Sequence, residues 1–162
     1  MIHFKFTQLA TFLQETRGLD FTPVRADLGS SGYDLKACMV EPLSIWPDEV
    51  VKIPTGVHIW IGDMKDVTDS SEEVQFAGLY LPRSSNPGLV LTNTVGLLDS
   101  SYQGESFLKY RNISDEVITI EPADKIGQLV IFPTYVGVMR EVEGFHKETS
   151  RGEGGFGSSG RK

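Results

Sequence analysis

Apolar and polar positions along the chain fall into short runs rather than long helical stripes. Six runs rich in β-branched and aromatic residues, at 50–61, 77–81, 89–95, 106–110, 117–120 and 128–136, are set off by Gly, Pro, Asn, Asp and Ser. Repeated short strands separated by turn chemistry predict an all-β sandwich or barrel. One stretch breaks the pattern. Residues 7–17 before Gly18 predict a short helix with Thr7 as N-cap and Gly18 just past its end, and with Leu9, Phe12 and Leu13 on the face that docks on the sheet. Residues 63–75 are polar and net negative between two strand-like runs, which predicts a solvated loop; the functional alternative is an acidic docking loop for a protein partner.

Composition narrows the class. A chain of 162 residues, 40% of them hydrophobic, has the size of one domain, which buries roughly 70% of its unfolded surface. No repeat or linker interrupts residues 1–150, so they read as a single β-rich domain. The net charge is −7, unevenly placed: three cations against Glu153 give the last twelve residues +2 and leave −9 for the body. Such a body repels nucleic acid, while the tail attracts small anions. Cys38 stands alone, so no intrachain disulfide forms and packing is its expected role. His3, His58 and His146 show no zinc-ligand spacing. Lys5, Glu15 and Arg17 interrupt any apolar run at the start, which excludes a membrane span there and predicts a soluble, cytoplasmic protein.

The chemistry concentrates in a few places. Residues 88–105 read as a strand, a polar connection and a returning strand, a β-hairpin whose open end can offer backbone N–H and C=O groups to a flat heterocycle. Uracil presents acceptor, donor, acceptor along one edge, and a rigid slot rejects a base that leaves its groups unpaired. Asn93 supplies an amide there, Tyr102 a ring for a sugar, and Asp99 a carboxylate to position and deprotonate water; an Asp in such a connection is also a common turn former. Arg83, Ser84 and Ser85 follow a strand end and could grip phosphate oxygens, as could Gln128 at the predicted start of the last strand. Asp34 suits a hydrated Mg²⁺, which prefers oxygen ligands and keeps most of its waters. Five of the last twelve residues are glycine. That segment resists ordering without a ligand, and its Arg151 and Phe156 suit an anion that carries a ring.

In this order the pieces resemble the trimeric dUTPase family from Ala26 onward. Motif one looks like 31–37, motif two 82–85, motif three Asn93 through Asp99 to Gly104, motif four 124–129 and motif five 151–157. The resemblance implies a jelly-roll-like subunit in a homotrimer, with sites at subunit interfaces and residues 151–162 forming a lid over a neighbour's site. It implies hydrolysis of dUTP to dUMP and diphosphate. Asp99 would activate the attacking water, and Tyr102 would pack on deoxyribose. Asn93, with the backbone around Leu97, Leu98 and Phe107, would read uracil. Arg83, Ser84, Ser85 and Gln128 would hold phosphates. Asp34 would contact Mg²⁺ through water, with the ion held mainly by the triphosphate. Arg151, Phe156, Ser158 and Ser159 would close over the ligand. Gly127 departs from the family's usual alanine. Two alternatives stand beside this reading: a dCTP deaminase-like enzyme, and a protein of the same fold that acts by docking a partner through 63–75.

Overall fold

The structure, a computed structural model, describes residues 1–62, 74–93, 95–150 and 152. Its elements in chain order are β1 (His3–Phe6), α1 (Gln8–Arg17), β2 (Tyr33–Lys36), β3 (Leu43–Ile45), β4 (Val50–Trp60), β5 (Val74–Pro82), β6 (Leu89–Leu91), β7 (Gly96–Leu98), β8 (Glu105–Asn112), β9 (Ile118–Ile120) and β10 (Lys125–Tyr135). One antiparallel sheet runs β1-β4-β8-β6, a second runs β2-β10-β5-β7, and β3 pairs with β9 as a ribbon. The chain is all-β with one short helix, as its pattern predicts.

Alternation explains which faces meet. On β8, Ser106, Leu108, Tyr110 and Asn112 point inward while Lys109 and Arg111 face solvent, the period of two that a half-buried strand requires. Leu35, Ile53, Leu98, Leu108, Ile126 and Leu129 from both sheets join Tyr110 in one core. The Tyr110 hydroxyl donates to the Ile126 carbonyl at 2.6 Å, and burial pushes its pKa up to about 12. Asn112 is fully buried and donates to the carbonyls of Ile45 and Glu116, which ties the β3-β9 ribbon to the main sheets.

The helix is capped as expected: Thr7 Oγ1 accepts from Ala10 N, and Gly18 adopts φ 68°. Its buried face differs from expectation. Ala10 and Leu13 are inside, whereas Leu9 and Phe12 are 37% and 53% exposed. The reason is Gly56, which has φ +73° and brings the backbone of β4 so close that a Cβ there would lie 2.9 Å from Ala10 Cβ and 2.7 Å from Cys38 Sγ. Only a small helical residue fits over that spot, so Ala10 rather than a larger neighbour faces inward. Cys38 is buried here, in the packing role expected of it, and burial raises its thiol pKa to about 11.

Four strands escape the sequence pattern: β1, β2, β3 and β7 are three or four residues long, and β2 buries the adjacent residues Asp34 and Leu35. The predicted loop at 63–75 overlaps β5, because Val74 and Gln75 pair with Tyr135 and Thr134; the rest of that loop, 63–73, lies outside the described residues.

Gly127 also has a packing reason. A Cβ at this position would lie 2.5 Å from Leu108 Cδ1 and 3.1 Å from the Leu81 carbonyl oxygen. Gly127→Ala should therefore lower stability by about 1–3 kcal/mol through overpacking. Urea unfolding should show a lower midpoint at unchanged slope, with part of the loss recovered when Leu108→Val is added.

Candidate active site

A cavity of about 280 Å³ is lined by residues of β4 and β8 from one sheet and of β5 and β7 from the other. Asn93, Leu97, Leu98, Asp99, Tyr102 and Phe107 all line it, so the structure assembles the six residues assigned to base, sugar and water. The local path differs from a simple hairpin. Strand β6 pairs with β8 in one sheet, but between them the chain crosses to the other sheet, where β7 pairs with β5. The crossing follows from burial: Gly96 and Leu98 face the core between the sheets and leave Leu97 59% exposed. Asp99 comes directly after β7 and is exposed at the cavity. A turn with Tyr102 N donating to Asp99 O at 3.0 Å then folds the loop back. The Tyr102 hydroxyl donates to Glu105 O at 3.0 Å, which lays the ring over Gly104.

Five further residues line the same cavity: Lys52, Tyr80, Gly96, Glu105 and Ser106. Lys52 Nζ sits 3.7 Å from the centroid of the Phe107 ring, within cation–π range. Lys52 and Tyr80 come from β4 and β5, far from the loop in sequence, and the pairing of β4 with β8 and of β5 with β7 brings them here.

A second cluster gathers at the end of β5. Gln128 stands opposite Leu81 on β5 and Asp34 on β2, and Arg83 follows the strand. Strand β10 starts at Lys125, three residues before the predicted start, because β2 offers Lys36 as a ladder partner there. Asp34 is buried and compensated twice, by Arg83 Nε at 3.1 Å and by Lys125 Nζ at 2.8 Å. Its Oδ2 nevertheless lacks a donor in hydrogen-bond alignment, so the lysine supplies charge without a directed bond. Gln128 Nε2 donates to Pro82 O at 3.2 Å, while Ser84 and Ser85 are exposed beside it. Lys125 was not legible as a member of this group, although it adjoins the residues that were. Arg151, Phe156, Ser158 and Ser159 lie outside the described residues.

The two clusters are far apart within one subunit. Leu98 faces Gly78 on β5, so Asp99 extends toward the level of Ala77, whereas Arg83 lies beyond Pro82 at the other end. At about 3.3 Å per residue the offset along β5 is roughly 20 Å. Accordingly, none of Asp34, Arg83, Ser84, Ser85 and Gln128 lines the cavity that holds Asp99.

The dUTPase family model matches residues 22–160. The chain belongs to the dUTPase family. The match leaves β1 and α1 outside it. Among curated relatives, the deoxyuridine 5'-triphosphate nucleotidohydrolase of Idiomarina loihiensis is 48% identical over 142 residues, which is 86% of this chain and 87% of its own length. That of Legionella pneumophila is 45% identical over 142 residues, 86% of either chain. Among solved structures, a mutant dUTPase of Staphylococcus bacteriophage 80alpha with dUpNHpp superposes with a TM-score of 0.75 at 25% identity, covering 99% of this chain and 98% of its own. The dUTPase of Streptococcus mutans gives 0.62 at 26% identity, covering 85% and 98%.

Proposed function

We propose that the protein is a dUTP diphosphatase, hydrolysing dUTP to dUMP and diphosphate. The observation that carries this reading is the single cavity lined by Asn93, Leu97, Leu98, Asp99, Tyr102 and Phe107, in a chain of the dUTPase family. In this reading Asn93 and the backbone at Leu97, Leu98 and Phe107 bind uracil, and Tyr102 packs against the deoxyribose. Asp99 takes a proton from water as its oxygen attacks the α-phosphorus, and the bond from that phosphorus to the bridging oxygen breaks to release diphosphate. Arg83, Ser84, Ser85 and Gln128 hold the phosphates in line for attack. From the family resemblance alone, Arg151, Phe156, Ser158 and Ser159 close over the bound nucleotide as a lid.

The residues present fit Mg²⁺. Asp34 offers a buried carboxylate oxygen without an aligned donor, suited to a water of a hydrated ion that the triphosphate itself holds. When bound, Mg²⁺ would disperse charge on the phosphate oxygens.

The separation of the two clusters supports a site shared between copies. Asp99 must reach the α-phosphorus through one water, and the phosphate-holding residues must sit within a few ångströms of the same group. An offset of roughly 20 Å along β5 argues against one subunit supplying both. A homotrimer in which one subunit supplies Asp99 and its neighbour supplies Arg83 meets the requirement.

Diphosphate release from dUTP, dCTP, dTTP and UTP, with and without Mg²⁺, tests the reading. Turnover of dUTP alone, dependent on Mg²⁺, is the expected result. Ammonia released from dCTP would instead mark a deaminase.

A further inference from the structure

Beneath the cavity, Tyr80 and Ser106 are both buried, and their hydroxyls lie 2.7 Å apart. Tyr80 belongs to β5 and Ser106 to β8, so this bond joins the two sheets at the cavity that both residues line. Each residue also supports one wall. Tyr80 stands opposite Gly96 on β7, and its ring is so close that a Cβ on Gly96 would lie 3.0 Å from Tyr80 Cδ2 and 3.3 Å from the Asn93 amide nitrogen. Ser106 immediately precedes Phe107, and its carbonyl accepts from Thr55 Oγ1 at 2.7 Å, which fixes that part of β8 against β4. The walls that carry Leu97, Leu98 and Asn93 on one side and Phe107 on the other are therefore held at a set distance by one buried bond.

Resting on the dUTP reading above, we infer that the Tyr80–Ser106 bond sets the width of the base slot and makes this pair a specificity determinant, excluding pyrimidines with a substituent at C5. The physical basis is that a close-packed slot rejects an extra methyl only if its walls cannot spread. Van der Waals contact alone leaves the sheets free to separate by a few tenths of an ångström, whereas a buried hydroxyl pair loses its only mutual partner when they do. Burial also raises the Tyr80 pKa, which keeps its hydroxyl protonated and able to make the bond.

The test compares kcat/KM for dUTP and dTTP in Tyr80→Phe, Ser106→Ala and the double variant. Tyr80→Phe keeps the ring against Gly96 and removes only the bond; Ser106→Ala removes the same bond from the other side. The wild-type preference for dUTP over dTTP should fall about tenfold in each, the scale of discrimination that a methyl in a well-fitted pocket provides. The double variant should fall no further than either single one, because one bond is lost in all three. A general weakening of the fold would depress both substrates together and leave the ratio in place. A fall of threefold or more in both single variants supports the inference, and any smaller change in either overturns it. If one variant fails to fold, the other decides by the same threshold. Absence of dUTP hydrolysis by the wild-type protein would instead strike the functional reading on which the inference rests.

Discussion

Asp99→Asn should abolish most turnover while leaving the fold and nucleotide binding in place. Asp99 is exposed at the cavity directly after β7, where it supports no core contact, so an amide of nearly the same shape can replace it without disturbing the sheets. What the amide cannot do is accept a proton from the attacking water. A positioned general base contributes ~10²–10⁴-fold, equivalent to about 3–5 kcal/mol of barrier. Single-turnover rates with dUTP should fall by that factor, and the affinity for the non-hydrolysable analogue dUpNHpp should stay within a few-fold of wild type. A single-turnover rate within threefold of wild type would remove Asp99 from the role of base.

That the residues proposed for base, sugar and water share one cavity was legible because they are close in sequence. Asn93, Leu97, Leu98, Asp99, Tyr102 and Phe107 span fifteen positions, and any compact loop would keep them near one another. The same reasoning misjudged the path between them. A polar connection between two apolar runs reads as a hairpin, but the inward-facing Gly96 and Leu98 divert the chain to the other sheet, and local pattern carries no information about which sheet a strand joins. Lys52, Tyr80 and Lys125 were missed for a related reason. Each occupies a strand position that alternation explains well enough, and only tertiary pairing gives it a partner: Phe107 on the neighbouring strand for Lys52, Asp34 on the neighbouring strand for Lys125, and Ser106 across the sheets for Tyr80.

Charge was read more easily than its compensation. Asp34 stood out as a carboxylate suited to a hydrated Mg²⁺, yet its burial beside Arg83 and Lys125 comes from β2 lying next to β10. Strand β2 itself was invisible, since four residues with two adjacent buried positions show no alternation. On the helix, the apolar periodicity located the element and both of its ends. The choice of face depended on a single close approach at Gly56, which favours Ala10 over the larger residues beside it.

The central claim is that a complete site needs residues from two subunits, and complementation between inactive variants tests it most directly. In the proposed reading Asp99→Asn lacks the base and Arg83→Ala lacks the main cationic grip on the triphosphate, so each protein alone should be nearly inactive. If Asp99 and Arg83 of one site come from different subunits, equal mixing by unfolding and co-refolding makes about one quarter of all sites intact, since each partner is wild type at the needed position half of the time. Diphosphate release should then rise from background to roughly a quarter of the wild-type rate, in step with mixed trimers counted by native mass spectrometry. Mixed trimers that form in the expected proportions and recover no activity would contradict the account, because they would place Asp99 and Arg83 at the same site within one subunit.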